Sequence, residues 1–565
     1  LELQFGEQKF LLSPQEGAYV GLPEDFHDAV RLLLRHANGR LSGYVEQADG
    51  RRIEWLAERE GATNEAPKPS VLASAPTPIP DFLGYPAGEF SMRSLPAQPE
   101  AVLFRNATVW TNSDAGIVAE TDVLVRRGRI AQVGRSLKAP AGAQIIDATG
   151  MHLTAGIVDA HSHTAVARNI NEPSHAVTSE VRIGDALDPT DINLYWQLAG
   201  GVTAANLLHG SANPMGGQNA VIKLRWGSDA EGLRMLGAPS GIKFALGENV
   251  KQSGWGPAFV TRYPQTRMGV EQIMREHLNM ARAYNAALER GEKPRRDLRI
   301  EALAEILRGE RLIHIHSYRQ DEILMFVRLA QEYGFKVATF QHVLEGYKVA
   351  DEIAAIGAGG STFADWWAYK MEVIDAIPHN AALMTRAGVV TSFNSDSNEM
   401  ARRLNMEAAK AIRYGGLSEQ EAWKLVTLNP AIQLGIADRV GAVKPGLDAD
   451  LVLWNASPLS NYARAEQTWI DGRRYFDREQ DRQWQAEAVS ERERLLMLAA
   501  DERRKALALT LPNADADKTS STPVAPEVRY WMQTETLWWQ HLAGARGLYH
   551  NGADLMSCGV NDHVH

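Results

Sequence analysis

The chain has one cysteine, Cys558, in 565 residues. No disulfide within the chain can staple it, so its fold must rest on a packed core. A single thiol fits the cytoplasm without excluding an extracytoplasmic home. No apolar run approaches the roughly 18 residues that a spanning helix needs, which argues against a membrane partner. Long basic runs are missing as well. Lys and Arg number 59 against 69 Asp and Glu, and the resulting net charge of -10 is spread along the chain. Nucleic acid is therefore excluded as an expected partner. There is no short internal repeat. Residue 1 is Leu rather than Met, and residues 1–30 contain no signal-like segment. A leader removed earlier would imply a periplasmic or secreted protein; otherwise the cytoplasm is expected.

The composition is that of an ordinary soluble globular protein, 45% apolar and 23% charged. At about 150 residues per domain the length suggests roughly four units, although a single α/β barrel often takes about 250. Residues 1–63 read as an N-terminal extension or part of a neighbouring domain, with a helix expected near Asp25–His36. Residues 64–98, rich in Pro and Ala (Ala75-Pro-Thr-Pro-Ile-Pro80), have the composition of a linker. Segments 99–155 and 437–480 are β-rich and are expected to form one small β-sandwich domain. Within them, Arg127-Gly-Arg129 sits where a hairpin turn is expected. Residues 481–565 read as a helical C-terminal extension, including an aromatic stretch near Trp531–Trp539 that suits a packing helix.

Residues 156–436 follow a different pattern. Short apolar strands, among them Gly156-Ile-Val-Asp, Gly201-Val-Thr-Ala-Ala-Asn, Gly241-Ile-Lys-Phe-Ala-Leu, Arg311-Leu-Ile-His-Ile-His, Lys336-Val-Ala-Thr-Phe and Gly388-Val-Val-Thr-Ser-Phe, alternate with helical stretches such as 270–290, 321–333 and 405–414. Such alternation predicts an α/β fold with a parallel sheet, and at this length a (β/α)8 TIM barrel.

One strand runs into Gly156-Ile-Val-Asp-Ala-His-Ser-His163. Residues two apart on a strand share a face, so His161 and His163 could bind one metal ion from a barrel strand's C-terminal end, where barrel active sites form. Alone, His-x-His is a weak signal. Further motifs follow in order: Gly241-Ile-Lys-Phe-Ala-Leu-Gly-Glu-Asn249, Ile315-His-Ser-Tyr-Arg-Gln-Asp-Glu-Ile323, Phe340-Gln-His-Val-Leu-Glu-Gly-Tyr347, Asn394-Ser-Asp-Ser397, Thr427-Leu-Asn-Pro-Ala-Ile-Gln-Leu-Gly435 and the segment 440–454. Together they resemble the amidohydrolase superfamily over residues 100–475, and its imidazolonepropionase-like metal-dependent hydrolases in particular.

The resemblance implies two divalent metal ions, with zinc suited to nitrogen and oxygen donors. His161, His163 and Asp396 would hold one ion, and His316 and His342 the other. A carboxylate would bridge them. Glu248, at the strand's end, is the expected bridge, and Lys243 is the alternative if carboxylated. Water activated between the ions would attack an amide-type C–N bond, with Asp396 as general base and then general acid. The expected substrates are N-acyl amino acids, dipeptides or cyclic amides. His314 shares a face with His316 but is expected deeper in the barrel. His209 and Arg319 are candidate substrate contacts, Lys370 is a further candidate anchor, and Asp365 suits a structural or pocket-lining place. His175, His277 and His379 read as ordinary surface or core positions. A mononuclear deaminase or imidazolone-type ring hydrolase is the alternative, although the His-x-x-Glu expected of it after the fifth strand is replaced by His316-Ser-Tyr-Arg319. An inactive scaffold is a third reading, weakened because every expected ligand is retained. A homo-oligomer is left open.

Overall fold

The computed structural model describes the strands between residues 2 and 58 and residues 95–508 apart from 168 and 253–261. The chain divides into two compact units, residues 1–81 and 82–565. The expected linker up to residue 94, most of the Gly254–Arg267 loop and the aromatic stretch near Trp531–Trp539 lie outside the described residues.

The first unit is an antiparallel meander of β1 (Glu2–Phe5), β2 (Gln8–Gln15), β3 (Ala18–Pro23), β4 (Arg31–Ala37), β5 (Arg40–Glu46) and β6 (Arg52–Glu58), each paired with the next. This corrects the helix expected near Asp25–His36. Residues 31–37 form β4, hydrogen-bonded to β3 on one side and β5 on the other; residues 25–30 lie outside the described set. Leu32 and Leu34, two apart, are both buried, which is strand spacing rather than the 3.6-residue period of a helix.

In the second unit, β7 (Ala101–Trp110), β8 (Ile117–Arg126), β9 (Arg129–Gly134), β10 (Gln144–Asp147) and β11 (His152–Ala155) come first. The hairpin between β8 and β9 turns at Arg127 and Gly128, both at positive φ. A Cβ on Gly128 would lie 2.7 Å from the carbonyl oxygen of Asp471, so the turn needs glycine. The central strands follow: β12 (Ile157–Ser162), β13 (Val202–Leu207), β14 (Met215–Gln218), β15 (Ala220–Lys223), β16 (Ser240–Ala245), β17 (Arg311–Ser317), β18 (Val337–His342), β19 (Gly359–Thr362) and β20 (Val390–Phe393). Finally β21 (Leu451–Trp454), β22 (Ala465–Ile470) and β23 (Arg473–Asp477) return to the first block. There they complete an eight-stranded sheet of order β23-β22-β21-β11-β7-β8-β9, with β10 beside β7.

The central strands form two arcs. In one, β12 runs parallel to β13, which is antiparallel to β15. In the other, β16 to β20 are successively parallel, with β14 antiparallel at the edge. The fold is thus mixed α/β, and among the described residues the ladder forms two arcs rather than one closed ring. β12 and β13 are buried at every position, as parallel strands covered on both faces should be. The helices Arg267–Glu289, Leu298–Leu307 and Gln320–Tyr333 cover the second arc. In the first of these, Val270, Ile273, Met274, Leu278 and Ala281 recur at helical spacing and are buried. No helix among the described residues is long and apolar enough to cross a membrane.

One ionic cluster fastens the first arc to the eight-stranded sheet. Lys223, at the end of β15, is fully buried. Its Nζ lies 2.8 Å from Asp448, 3.0 Å from Asp450 and 2.6 Å from Asp471. Arg225 and Arg439 share Asp471 and Asp448 with it. Burial pushes the Asp450 carboxyl up to about 6 against the pull of Lys223. Burial alone would lower Lys223, but the three carboxylates more than offset it and hold the ammonium above its ordinary value. Removing one partner from a buried ionic group strands the others. Lys223→Met should therefore cost about 3–5 kcal/mol in chemical denaturation, and an unchanged midpoint would show that the cluster does not fasten the two sheets.

Candidate metal centre

The ends of the parallel strands bring six ionisable side chains together. His161 lies on β12, Lys243 on β16, His314 and His316 on β17 and His342 at the end of β18, while Asp396 follows β20 by three residues. Register sets their levels: Lys243 stands opposite His314, Ala245 opposite His316 and Ser317 opposite His342. All six are buried.

Ligand atoms of His161, His342 and Asp396 all lie within 4.8 Å of one another. Asp396 Oδ1 is 3.5 Å from His161 Nε2 and 3.1 Å from His163 Nε2, and its Oδ2 is 3.6 Å from His342 Nε2. Lys243 Nζ reaches to 3.4 Å from His161 Nε2. The His316 ring centroid is 4.8 Å from that of His342. Both of its buried ring nitrogens have no hydrogen-bond partner among the described residues, an arrangement that costs free energy unless something else engages them.

Backbone strain shapes the same spot. His342, Val343 and Asp396 have φ of 68°, 33° and 45°, a conformation costing about 1–3 kcal/mol at a non-glycine residue and concentrated at functional sites. Adjacent residues on a regular strand face opposite ways. At the left-handed end of β18, however, both Gln341 and His342 reach His161, Gln341 through Oε1 3.2 Å from Nδ1 and His342 through ring contact at 4.6 Å.

These partners fix the ring orientations. With Nδ1–H of His161 donating to Gln341 at 3.2 Å, and Nδ1–H of His163 donating to the Leu208 carbonyl at 3.0 Å, the Nε2 atom of each is turned toward Asp396. Burial, then Lys243 and the neighbouring imidazoles, hold His161 well below its ordinary pKa. Burial and His342 do the same to His316. Burial brings His342 and His314 down to about 3. Neutral imidazoles are the form that ligates metal. Burial would raise Asp396, yet the hydrogen bond from His163, with His342 and Lys243 nearby, brings its carboxyl below the ordinary value. A buried set of neutral imidazoles around one ionised carboxylate fits a divalent ion of the zinc type.

Glu248 is not brought into this group. It lies three residues beyond β16, is 41% exposed, and pairs with Lys251 at 2.6 Å and Arg267 at 3.0 Å. Lys243, the alternative to Glu248, is the residue whose side chain enters the group. His314 is buried one step below His316, opposite Lys243. Arg319 points to the surface and pairs with Asp321 at 3.0 Å. Lys370 pairs with Glu372 at 3.4 Å, its ammonium 4.6 Å over the Tyr318 ring. Asp365 pairs with Lys410.

Three neighbours of the site were not singled out from the sequence. Asp159 accepts from the backbone N–H of His161 at 3.2 Å and from Ser395 N–H and Oγ–H at 3.1 and 2.5 Å, so it ties β12 to the segment that carries Asp396. Burial pushes its carboxyl up to about 7. Its place two residues before His161, on the same face, was the available signal. Gln341 and Tyr318 are the others. The Tyr318 ring stands edge-on to His316 at 4.5 Å, Phe363 stacks on His342 at 4.8 Å, and Trp366 stacks on Phe363 at 3.8 Å.

His209 has both ring nitrogens engaged by backbone. Nε2 accepts from Glu172 N–H at 2.8 Å, and Nδ1–H donates to the Gly210 carbonyl at 2.8 Å. Burial holds its pKa down near 4. His209→Leu should leave a buried N–H and carbonyl without partners and cost about 1–3 kcal/mol, read as a lower urea midpoint. A variant of unchanged stability with only a raised KM would reverse this assignment and make His209 a substrate contact.

Residues 152–475 match the family described as the amidohydrolase family. The chain is 32% identical over 436 residues to the amidohydrolase tasK of Hapsidospora irregularis, covering 68% of this chain and 44% of that protein. It is 22% identical over 369 residues to the imidazolonepropionase of Thermoplasma acidophilum, covering 61% and 85%. The chain thus spans less than half the length of tasK. A solved amidohydrolase from Thermotoga maritima superposes with a TM-score of 0.61 at 33% identity, covering 67% of this chain and all of that one.

Proposed function

The chain belongs to the amidohydrolase family, and on that premise we propose that it is a binuclear metal-dependent hydrolase of amide-type C–N bonds. The observation that carries this reading is the convergence of His161, His342 and Asp396 within 4.8 Å, with Lys243 Nζ 3.4 Å from His161 Nε2. His161, His163 and Asp396 would hold one ion, and His316 and His342 the second. Lys243 would bridge them in place of Glu248. An ammonium among metal ligands repels a cation. Addition of carbon dioxide to the neutral Nζ, with loss of a proton, gives a carbamate whose two oxygens can face two ions. When bound, the ions, zinc by the character of the donor set, would polarise the scissile carbonyl and lower the pKa of water toward neutrality.

The remaining chemistry belongs to the chain. Asp396, kept ionised although buried, takes the proton of the attacking water and returns it to the leaving nitrogen. Gln341 and the Leu208 carbonyl hold the rings of His161, on β12, and His163, just beyond it, with Nε2 turned toward Asp396. Tyr318, Phe363 and Trp366 wall one side with apolar surface that keeps bulk water away and strengthens the electrostatics inside. N-acyl amino acids, dipeptides and cyclic amides are the substrates we assign. We read the two arcs as one (β/α)8 barrel with irregular register, and the eight-stranded sheet as its β-sandwich companion.

A mononuclear deaminase or imidazolone-type ring hydrolase is a second reading. It is favoured by the observation that three groups, enough for one ion, make the tightest cluster. Metal titration separates the two: about two ions per chain at full activity supports the first reading, and one ion overturns it. Asp396→Asn should lower kcat by about 10²–10⁴-fold while keeping most of the metal; retained turnover would remove Asp396 from its role. Lys243→Gln, which cannot be carboxylated, should lose metal and activity together, and a fully loaded, active variant would return the bridge to another carboxylate.

A further inference from the structure

A second cleft lies apart from the metal group, where the short helix Asn193–Leu198, the helix Asn398–Ala401 and the start of the helix Arg478–Ala508 meet. It is an open cleft of about 230 Å³, and its lining includes Trp196, Gly200, Glu399, Arg402, Arg403 and Arg478. Three arginines and one glutamate are among these residues, and none of the six belongs to the group around Asp396.

The arginines differ in how far they are already engaged. Arg478 donates to the Ala465 carbonyl through Nε at 2.9 Å and through a terminal nitrogen at 2.8 Å. These bonds hold its side chain in place, and Glu466 stands off at 3.8 Å. Arg402 pairs with Glu399 at 2.9 Å and lies 5.6 Å over the Trp196 ring, a cation–π placement. The guanidinium of Arg403 has no hydrogen-bond or ion-pair partner among the described residues. Gly200 completes the wall: a Cβ there would meet the Arg402 carbonyl oxygen at 2.5 Å, so only glycine lets the two backbones approach this closely. Burial, with Arg464 and Arg482 nearby, holds the Arg478 guanidinium below the ordinary arginine value, and added negative charge would relieve that.

We propose that this cleft binds a small, doubly charged oxyanion of the phosphate type, free or as a phosphate monoester. The planar fork of arginine matches tetrahedral oxyanions through paired N–H donors. Here one fork is positioned by backbone bonds, one by an indole and a carboxylate, and one is unengaged.

Calorimetric titration of the metal-loaded full chain with inorganic phosphate tests this. The wild type should show a saturable, salt-sensitive binding event. R402Q/R403Q, and R403Q alone, should weaken it at least tenfold with an unchanged melting temperature, because both side chains are exposed. Asp396→Asn should leave it intact. No saturable binding in the wild type, equal affinity in the arginine variants, or loss in Asp396→Asn with retention in R402Q/R403Q would each overturn the proposal; the last outcome would assign the phosphate to the metal centre. A sugar phosphate that binds more tightly than inorganic phosphate would identify the monoester as the ligand.

Discussion

The arrangement of the site depends on a carboxylate that stays ionised with no access to water. Asp396 is fully buried, which by itself favours its neutral form, yet His163, His342 and Lys243 bring its pKa below the ordinary value. That balance requires several strand ends to meet within a few ångströms. Asp159 enforces the meeting by bonding both the β12 backbone and Ser395. The left-handed conformations at His342 and Asp396 are local costs that packing around them must offset. Burial also keeps the imidazoles neutral, so one physical cause prepares both the anion and its neutral partners.

The same low-polarity surroundings act differently at Lys223. There the buried cation meets three carboxylates, so the charges compensate internally and the result is a fastening between sheets. Around Asp396 the neighbours are imidazoles, and His316 keeps two buried nitrogens without hydrogen-bond partners among the described residues. A compensated ionic cluster serves architecture, whereas an under-compensated cluster of ligating atoms is prepared for something brought from outside.

Much of the candidate site is legible in the sequence because each candidate ligand sits at or near a strand end with its own local motif. His161-Ser-His163, His316, His342 and Asp396 could be placed in order before any coordinates. Glu248 lies away from the group for a reason the sequence does not carry, namely where Arg267, nineteen residues later, places its guanidinium. That contact and Lys251 draw the carboxylate outward, while Lys243, between Ile242 and Phe244 on a fully enclosed part of β16, extends inward. His209 and Arg319 were candidates by position on loops, but both are engaged by near neighbours, a matter of side-chain partners rather than of position. The segment around Leu32–Leu34 was read as a helix from composition, whereas pairing with β3 and β5 made it a strand.

By itself the sequence determined the alternation of strand and helix and the order of histidines, lysine and aspartate along it, because hydrophobic period and motif spacing are local properties of the chain. Only the tertiary structure decided which carboxylate-capable residue stands among the histidines, which imidazoles have their nitrogens already engaged, and where the adjacent Arg402 and Arg403 share one cleft with the distant Arg478. Those outcomes depend on register and on side-chain partners tens to hundreds of residues apart, distances over which a linear pattern carries no geometry.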